Sequence, residues 1–335
     1  MVSKSLPQPL MDSFQYSCPG KIFILGEYAC LKGTPALIGT LSPFFSLTVN
    51  PTTQREKHIL KNSAQPFGAS HSEKYASRAF PFHMDSPAGK LLIDNKAITK
   101  NYHLMWNDPY EVPIGVGSST AQFLLSMALI SHLKRVALPI ADEILEMYWK
   151  YSWTEGSVKP SGCDLIAQYL GGVLAIKNSP LGTKKFSLWK NNKITWILAF
   201  TGEKVKTHEQ LSVLFQKGFP KGYETALHIL DELILKGIQA WEKENAFELG
   251  SIMNQYQDAL HKNIISSSFT EQIQKIQKWD GVYGCKGSGA QGGDSVLLFV
   301  KQELASHIQN KLQKINWKPF VIEWVTAGLH MAQNQ

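Results

Sequence analysis

Two glycine-rich stretches and one aspartate-bearing turn hold the side chains best suited to chemistry. The first stretch, Pro113-Ile-Gly115-Val-Gly117-Ser118-Ser119-Thr120-Ala121, opens directly into the apolar segment Thr120–Lys134. Glycines let a backbone approach a ligand closely, and unbonded amides at a helix start attract phosphate oxygens. The two serine hydroxyls add donors, and one of them could hold a magnesium ion that bridges phosphates. The same residues would also serve as a capped turn into an ordinary helix. No GxxxxGK[ST] loop and no GxSxG elbow occurs anywhere in the chain.

The second stretch is Lys286-Gly-Ser288-Gly289-Ala290-Gln-Gly-Gly-Asp294. Its glycines satisfy GxGxxG formally, but a dinucleotide fingerprint must follow a strand and open a helix. This one leads into the apolar run Ser295–Val300, so it reads as a turn or a loop over a site. The third element is Pro160-Ser161-Gly162-Cys163-Asp164, followed by Gly171-Gly172. Asp164 could accept or orient a hydroxyl proton, or serve only as a helix cap. Lys21 stands after Pro19-Gly20 at the head of the apolar run Lys21–Leu25, an awkward place for a charge unless its head escapes to solvent.

Positioning these groups falls to elements that periodicity outlines. Lys21–Leu25 and Phe44–Val49 read as strands, and residues 51–90 as strand and loop. Thr120–Lys134 reads as a buried helix with Ser118 and Ser119 offering its cap, and Asp142–Trp153 as a second helix. Strands are expected after Gly171-Gly172 and over Trp196–Phe200, with a loop and domain boundary near residue 185. Helical spacing marks Tyr223–Lys236, Trp241–Lys262 and Thr270–Lys278; the helix Glu303–Ile315 then lies between strands Ser295–Val300 and Phe320–Val325. The class is α+β, with domains over residues 1–185 and 186–335.

Composition agrees with a globular chain: 335 residues, 44% hydrophobic, 18% charged, net charge +7. A basic balance suits an anionic small molecule, nucleic acid or a membrane surface. The lysines are dispersed, Lys184-Lys185 and Lys204/Lys206 being the notable clusters, which argues against a nucleic-acid face. Cys18, Cys30, Cys163 and Cys285 form no CxxC pair, the amino-terminal residues hold no apolar run suited to a leader, and no segment elsewhere is apolar for the length of a membrane span. A cytoplasmic protein, without membrane or nucleic-acid partners, is expected.

Taken in chain order, these pieces resemble the galactokinase–homoserine kinase–mevalonate kinase–phosphomevalonate kinase (GHMP) superfamily. Cys18-Pro-Gly-Lys-Ile-Phe-Ile-Leu-Gly-Glu-Tyr-Ala29 is similar to its first motif, Pro113–Ala121 to its phosphate loop, and Lys286–Asp294 to its third motif. Pro160–Asp164 resembles the segment bearing the catalytic aspartate of the mevalonate branch, and Thr201–Thr207 a loop after the central strand. The resemblance implies a two-domain GHMP kinase fold, a ribosomal protein S5 domain 2-like N-terminal domain and a ferredoxin-like C-terminal domain, with ATP and Mg2+ between them. It implies that Asp164 engages the substrate hydroxyl and that Lys21 lowers that hydroxyl's pKa. Pro113, Gly115, Gly117, Ser118, Ser119 and Thr120 would hold the triphosphate, with Ser119 a candidate magnesium ligand. Ser288, Gly289 and Ala290 would close on the substrate beside Ser161 and Gly162, and Lys204, Lys206 or Lys286 would meet a substrate phosphate.

Departures from the family bear on the metal and the substrate. Trp153 stands where mevalonate kinases carry a magnesium-binding glutamate, leaving Glu155 nearby, and Gln291 replaces a glycine of the third motif. Gly26-Glu-Tyr-Ala29, the short PxGxGSS loop and Gly-Gly-Asp294 lean toward phosphomevalonate kinase, whereas Lys159-Pro-Ser-Gly-Cys-Asp164 leans toward mevalonate kinase. The balance favours 5-phosphomevalonate over mevalonate. A non-catalytic nucleotide-binding member, or a kinase of a sugar or amino-alcohol, remains open, as does a monomer or a homodimer.

Overall fold

An apolar run buried on both sides sets the middle of the first sheet. In the computed structural model, which describes residues 12–52, 81–112, 114–202, 222–264, 269–289 and 295–332, that run is β1 (Phe14–Leu25), buried except at Gln15. Pro19 has no amide proton to give a ladder. It sits at a shift of register between Cys18 and Gly20, where a strand tolerates proline. The long β2 (Ala36–Pro51) pairs with β1 and serves two further partners along its length.

The chain then forms α1 (Pro87–Asp94), the single turn α2 (Lys96–Thr99) and β3 (Tyr102–Asn107), which pairs with β2. Residues 87–90 are thus helical rather than strand or loop. Ser86 accepts a hydrogen bond from Gly89 N (3.0 Å), and Pro87 fills the first helical position. Next come α3 (Ser118–Lys134), α4 (Ala141–Ser152), α5 (Cys163–Leu170), β4 (Val173–Asn178) and β5 (Leu181–Phe186). α3 is apolar nearly all round and buries Phe123, Leu125, Met127 and Leu129 alike, as a helix inside a core must. Residue 185, expected in a loop, lies in β5 at the sheet edge, so the connection to the second sheet is residues 187–193.

The second sheet begins with β6 (Ile194–Phe200). Helices α6 (Tyr223–Glu242), α7 (Ala246–Asn263) and α8 (Thr270–Gln277) lead to β7 (Val282–Ser288) and β8 (Ser295–Lys301). α9 (Ala305–Lys314) and β9 (Lys318–Val321) complete it, in the order β7-β8-β6-β9. α6 runs six residues past Lys236, and Asn245 caps α7 by accepting from Glu248 N at 3.1 Å. Along β8 the side chains alternate: Val296, Leu298 and Val300 join the α8–α9 core, while Leu297 and Phe299 join the large core that includes β1, α3 and α6. Both faces of this sheet are therefore covered.

After β9 the chain does not continue as a strand to Val325. It crosses back to the first sheet, where Val325 N donates to Thr40 O (3.0 Å), Leu329 N donates to Tyr169 O (3.2 Å) and β10 (His330–Met331) pairs with β1. Lys185 fastens this return by donating to Leu170 O (3.1 Å) and Thr326 O (3.0 Å). Its neighbour Lys184 pairs with Glu242. This lysine pair therefore makes bonds within the chain instead of lying on a merely solvated face. Trp324 lies flat against Gly39, where any side chain would collide with its ring. It joins Trp189, Trp196, Trp241 and Phe299, whose ring centroids are 4.2–6.4 Å apart. Trp324→Ala removes the aromatic wedge between the sheets; a loss of about 3 kcal/mol in urea unfolding is expected, toward the low end for aromatic truncation because the ring is half-buried.

Candidate active site

β1 is fastened to the glycine turn by Lys21 N, which donates to Val116 O at 2.9 Å. Lys21 is only 6% exposed, and its ammonium donates to Gly115 O at 3.3 Å. Its stem fills the space under Gly117, where an added Cβ would stand 3.0 Å from Lys21 Cγ and Cε and 3.1 Å from Gln168 Nε2. Gly117, at φ +89°, is the residue before α3. The expected serine cap does not form, because Ser118 and Ser119 are already inside the helix. Ser118 Oγ instead donates to Asp108 Oδ2 (3.3 Å), and Ser119 is exposed and bonded to no described residue. Among the described residues no side chain caps the first-turn amides of α3, which lie at the positive end of a 17-residue helix. Pro113 lies outside the described residues.

The clamp that gathers the site is Gln168, a fully buried residue of α5 that motif reading passes over. Its Nε2 donates to Pro19 O at 2.7 Å, and its Oε1 meets Thr120 Oγ1, which also lies 3.0 Å from Gly117 O. One side chain thus holds the strand bearing Lys21 against the start of α3. Asp164 precedes Gln168 by one helical turn, on the same side of α5. It is half-buried, and its Oδ1 accepts from Leu165 N at 3.0 Å. Asp164 and Lys21 are not paired with each other.

The approach to Asp164 is fixed as well. Trp149 Nε1 donates to Pro160 O (2.7 Å), Lys159 lies over the Trp149 ring at 3.4 Å, and Asn178 donates to Ser161 O at 2.8 Å. Ser161 Oγ accepts from Cys163 N (3.3 Å), and Gly162 packs against Leu145 with no room for a side chain. Burial and the charge of Asp164 push the Tyr148 hydroxyl up, which marks Tyr148 as its neighbour. Glu155 stands in an exposed turn and is bonded to no described residue, so nothing draws it toward the phosphate turn. All four cysteines are buried and free.

The second sheet contributes the β7–β8 end. Ser288 is buried and faces Ser295 in register, and Ser295 Oγ donates to Ile114 O at 2.9 Å, which seats this end against the phosphate turn. A side chain at Gly289 would point into open space. Lys286, expected in a loop facing substrate, lies within β7 with no exposure. Its ammonium donates to Glu27 Oε1, to Gly287 O (2.8 Å) and to Phe23 O (3.4 Å), so it cannot meet a substrate phosphate. Burial pushes the Glu27 carboxyl up, against the pull of Lys286 and of Lys21, and pushes the Lys286 ammonium down. Ala290, Gln291, Lys204 and Lys206 lie outside the described residues.

Residues 237–318, from late α6 to β9, match the family GHMP kinases C terminal. A mevalonate kinase of Aeropyrum pernix is 24% identical over 315 residues, spanning 89% of this chain and 92% of that protein. The crystal structure of Lactococcus lactis galactokinase with galactose superposes with a TM-score of 0.71 at 13% identity, over 95% of each chain. Streptococcus pneumoniae phosphomevalonate kinase does so with a TM-score of 0.67 at 15% identity, over 95% of this chain and 100% of that one. Identities this low between structures establish a common fold and leave the substrate open. The chain thus has the two-sheet fold of these kinases, and its residues 237–318 match the C-terminal region of the GHMP kinase family.

Proposed function

We propose that this protein is an ATP-dependent kinase transferring the γ-phosphoryl group to the hydroxyl of a small hydroxy acid, with mevalonate the first candidate. The observation that carries the reading is Lys21: a buried stem under Gly117 and an ammonium on Gly115 O, beside the uncapped start of α3. Phosphoryl transfer needs little covalent chemistry from a protein and depends on positioning and charge compensation. A fixed cation beside free amides supplies both. In this reading Gly115, Gly117 and the amides of Ser118, Ser119 and Thr120 hold phosphate oxygens. Asp164 orients the acceptor hydroxyl and takes its proton, Lys21 offsets charge on the transferring group, and Ser288 and Gly289 cover the site from the second sheet.

Charge on the nucleotide phosphates would be offset by a magnesium ion when one is bound. Ser119 Oγ and the Asp108 carboxylate beside Ser118 are the groups at the turn that would hold it. No trio of His, Cys, Asp or Glu suited to a metal occurs among the described residues.

Mevalonate is put ahead of 5-phosphomevalonate, against the balance of the motifs. A substrate already carrying a phosphate needs a further cation, and of the three lysines expected to supply one, the one within the described residues, Lys286, is engaged with Glu27. A mevalonate kinase is 24% identical in sequence over 89% of this chain, whereas the phosphomevalonate kinase structure is 15% identical. The test is ADP release with mevalonate, 5-phosphomevalonate, galactose or homoserine as acceptor. Mevalonate is expected to have the highest kcat/KM, by about tenfold or more. Faster turnover of 5-phosphomevalonate would reverse that order, and ATP binding without turnover of any acceptor would mark a non-catalytic nucleotide-binding protein.

A further inference from the structure

We infer that Lys286 is a positioning residue: by neutralising Glu27 within a buried ion pair, it keeps the ammonium of Lys21 on the phosphate turn instead of on Glu27. The inference rests on the kinase reading above, because it concerns what holds Lys21 ready for phosphate.

Three charges share one interior region. Glu27 follows β1 and is 3% exposed; Lys286 reaches it from β7, 259 positions later, with no exposure. Phe23 links the pair to Lys21. Its carbonyl accepts from Lys286 at 3.4 Å, and the Lys21 ammonium lies 5.1 Å from the centroid of its ring. The charge of Lys21 is felt at both partners: after burial and the mutual pull of the pair, it lowers the carboxyl of Glu27 and the ammonium of Lys286.

Glu27 also carries a spare acceptor. Its Oε1 meets Lys286, whereas Oε2 is buried and has no hydrogen-bond partner among the described residues. A buried carboxylate without a counter-charge is strongly unfavourable, and attraction at short range is large in a low dielectric. Were Lys286 absent, the cation among the described residues whose charge reaches Glu27 would be Lys21, whose ammonium hydrogen-bonds among those residues to Gly115 O alone, at 3.3 Å. Two lysines and one carboxylate leave one net positive charge. Pairing Lys286 with Glu27 assigns that charge to Lys21, at the turn.

The test compares the full-length wild type with Lys286→Met and with Glu27→Gln/Lys286→Met, each checked for folding by its thermal midpoint. Lys286→Met should lower kcat with ATP and mevalonate about 100-fold, of the order seen when one charge-stabilising donor is lost. Its crystal structure should show the Lys21 ammonium on Glu27. The double variant has no carboxylate to capture Lys21, so kcat should recover to within about fivefold of wild type, a reciprocal rescue that simple loss of packing would not produce. Folded Lys286→Met with kcat near wild type, or a double variant as slow as the single, overturns the inference. If Lys286→Met does not fold, the double variant decides alone: turnover as low as that of Lys21→Met overturns it. If the wild type turns over no acceptor, the kinase reading fails, and the position of Lys21 in the Lys286→Met crystal still decides this inference.

Discussion

Asp164→Asn is expected to bind ATP normally, unfold near the wild-type temperature and transfer phosphoryl groups about 1,000-fold more slowly, within the range assigned to a positioned acid or base. The substitution keeps the shape of the side chain and an oxygen able to accept from Leu165 N, so the first turn of α5 should survive. The cost to stability is the lost attraction between a carboxylate and a helix start, about 0.5 kcal/mol for a half-exposed group. Binding should survive because the triphosphate cradle is built from β1, the glycine turn and α3, held by Gln168 and not by Asp164. The combination is diagnostic. A structural aspartate would change the melting temperature and leave turnover per folded molecule intact. Calorimetric ATP titration, thermal melting and a steady-state assay separate the two, and kcat within tenfold of wild type would remove Asp164 from the reaction.

What could be read along the chain was the chemistry that is local. Gly115-Val-Gly117-Ser118-Ser119 announces a tight turn into a helix because each residue type has a backbone reason to be there. The same pattern suggests serine caps that do not form, because capping is decided by one residue of register and Gly117 occupies the position. The clamp of Gln168 on Pro19 and Thr120 was not legible. A glutamine inside an apolar helix has no meaning until three elements meet at it. The burial of Lys286 is hidden for another reason. Glycines on both sides disguised the end of β7 as loop, and the partner that makes its burial possible, Glu27, lies at the other end of the chain. β5 was hidden because Leu181-Gly-Thr-Lys-Lys-Phe186 is an edge strand largely exposed, so the apolar alternation that marks a half-buried strand is missing. The return of the chain after β9 depends on Trp324 finding Gly39, a contact between residues 285 positions apart that no local pattern encodes.

Gly117→Ala should lower ATP affinity about tenfold and kcat about 100-fold, because one methyl group strikes the cation and the clamp together. Two costs act at this position. The backbone sits at φ +89°, where a residue with a Cβ is strained by about 1–2 kcal/mol. The new Cβ would also stand 3.0 Å from Lys21 Cγ and Cε and 3.1 Å from Gln168 Nε2. The lysine stem is the flexible neighbour, so it yields, and the ammonium leaves Gly115 O. Gly156→Ala isolates the first cost: its φ is +87°, but a Cβ there meets nothing within 4 Å, in an exposed turn away from α3. Both variants should lose similar stability through the backbone, and only Gly117→Ala should lose turnover. A Gly117→Ala protein with ATP affinity and kcat within about threefold of wild type would mean that Lys21 does not serve the phosphate turn, since a displaced lysine would then be without consequence.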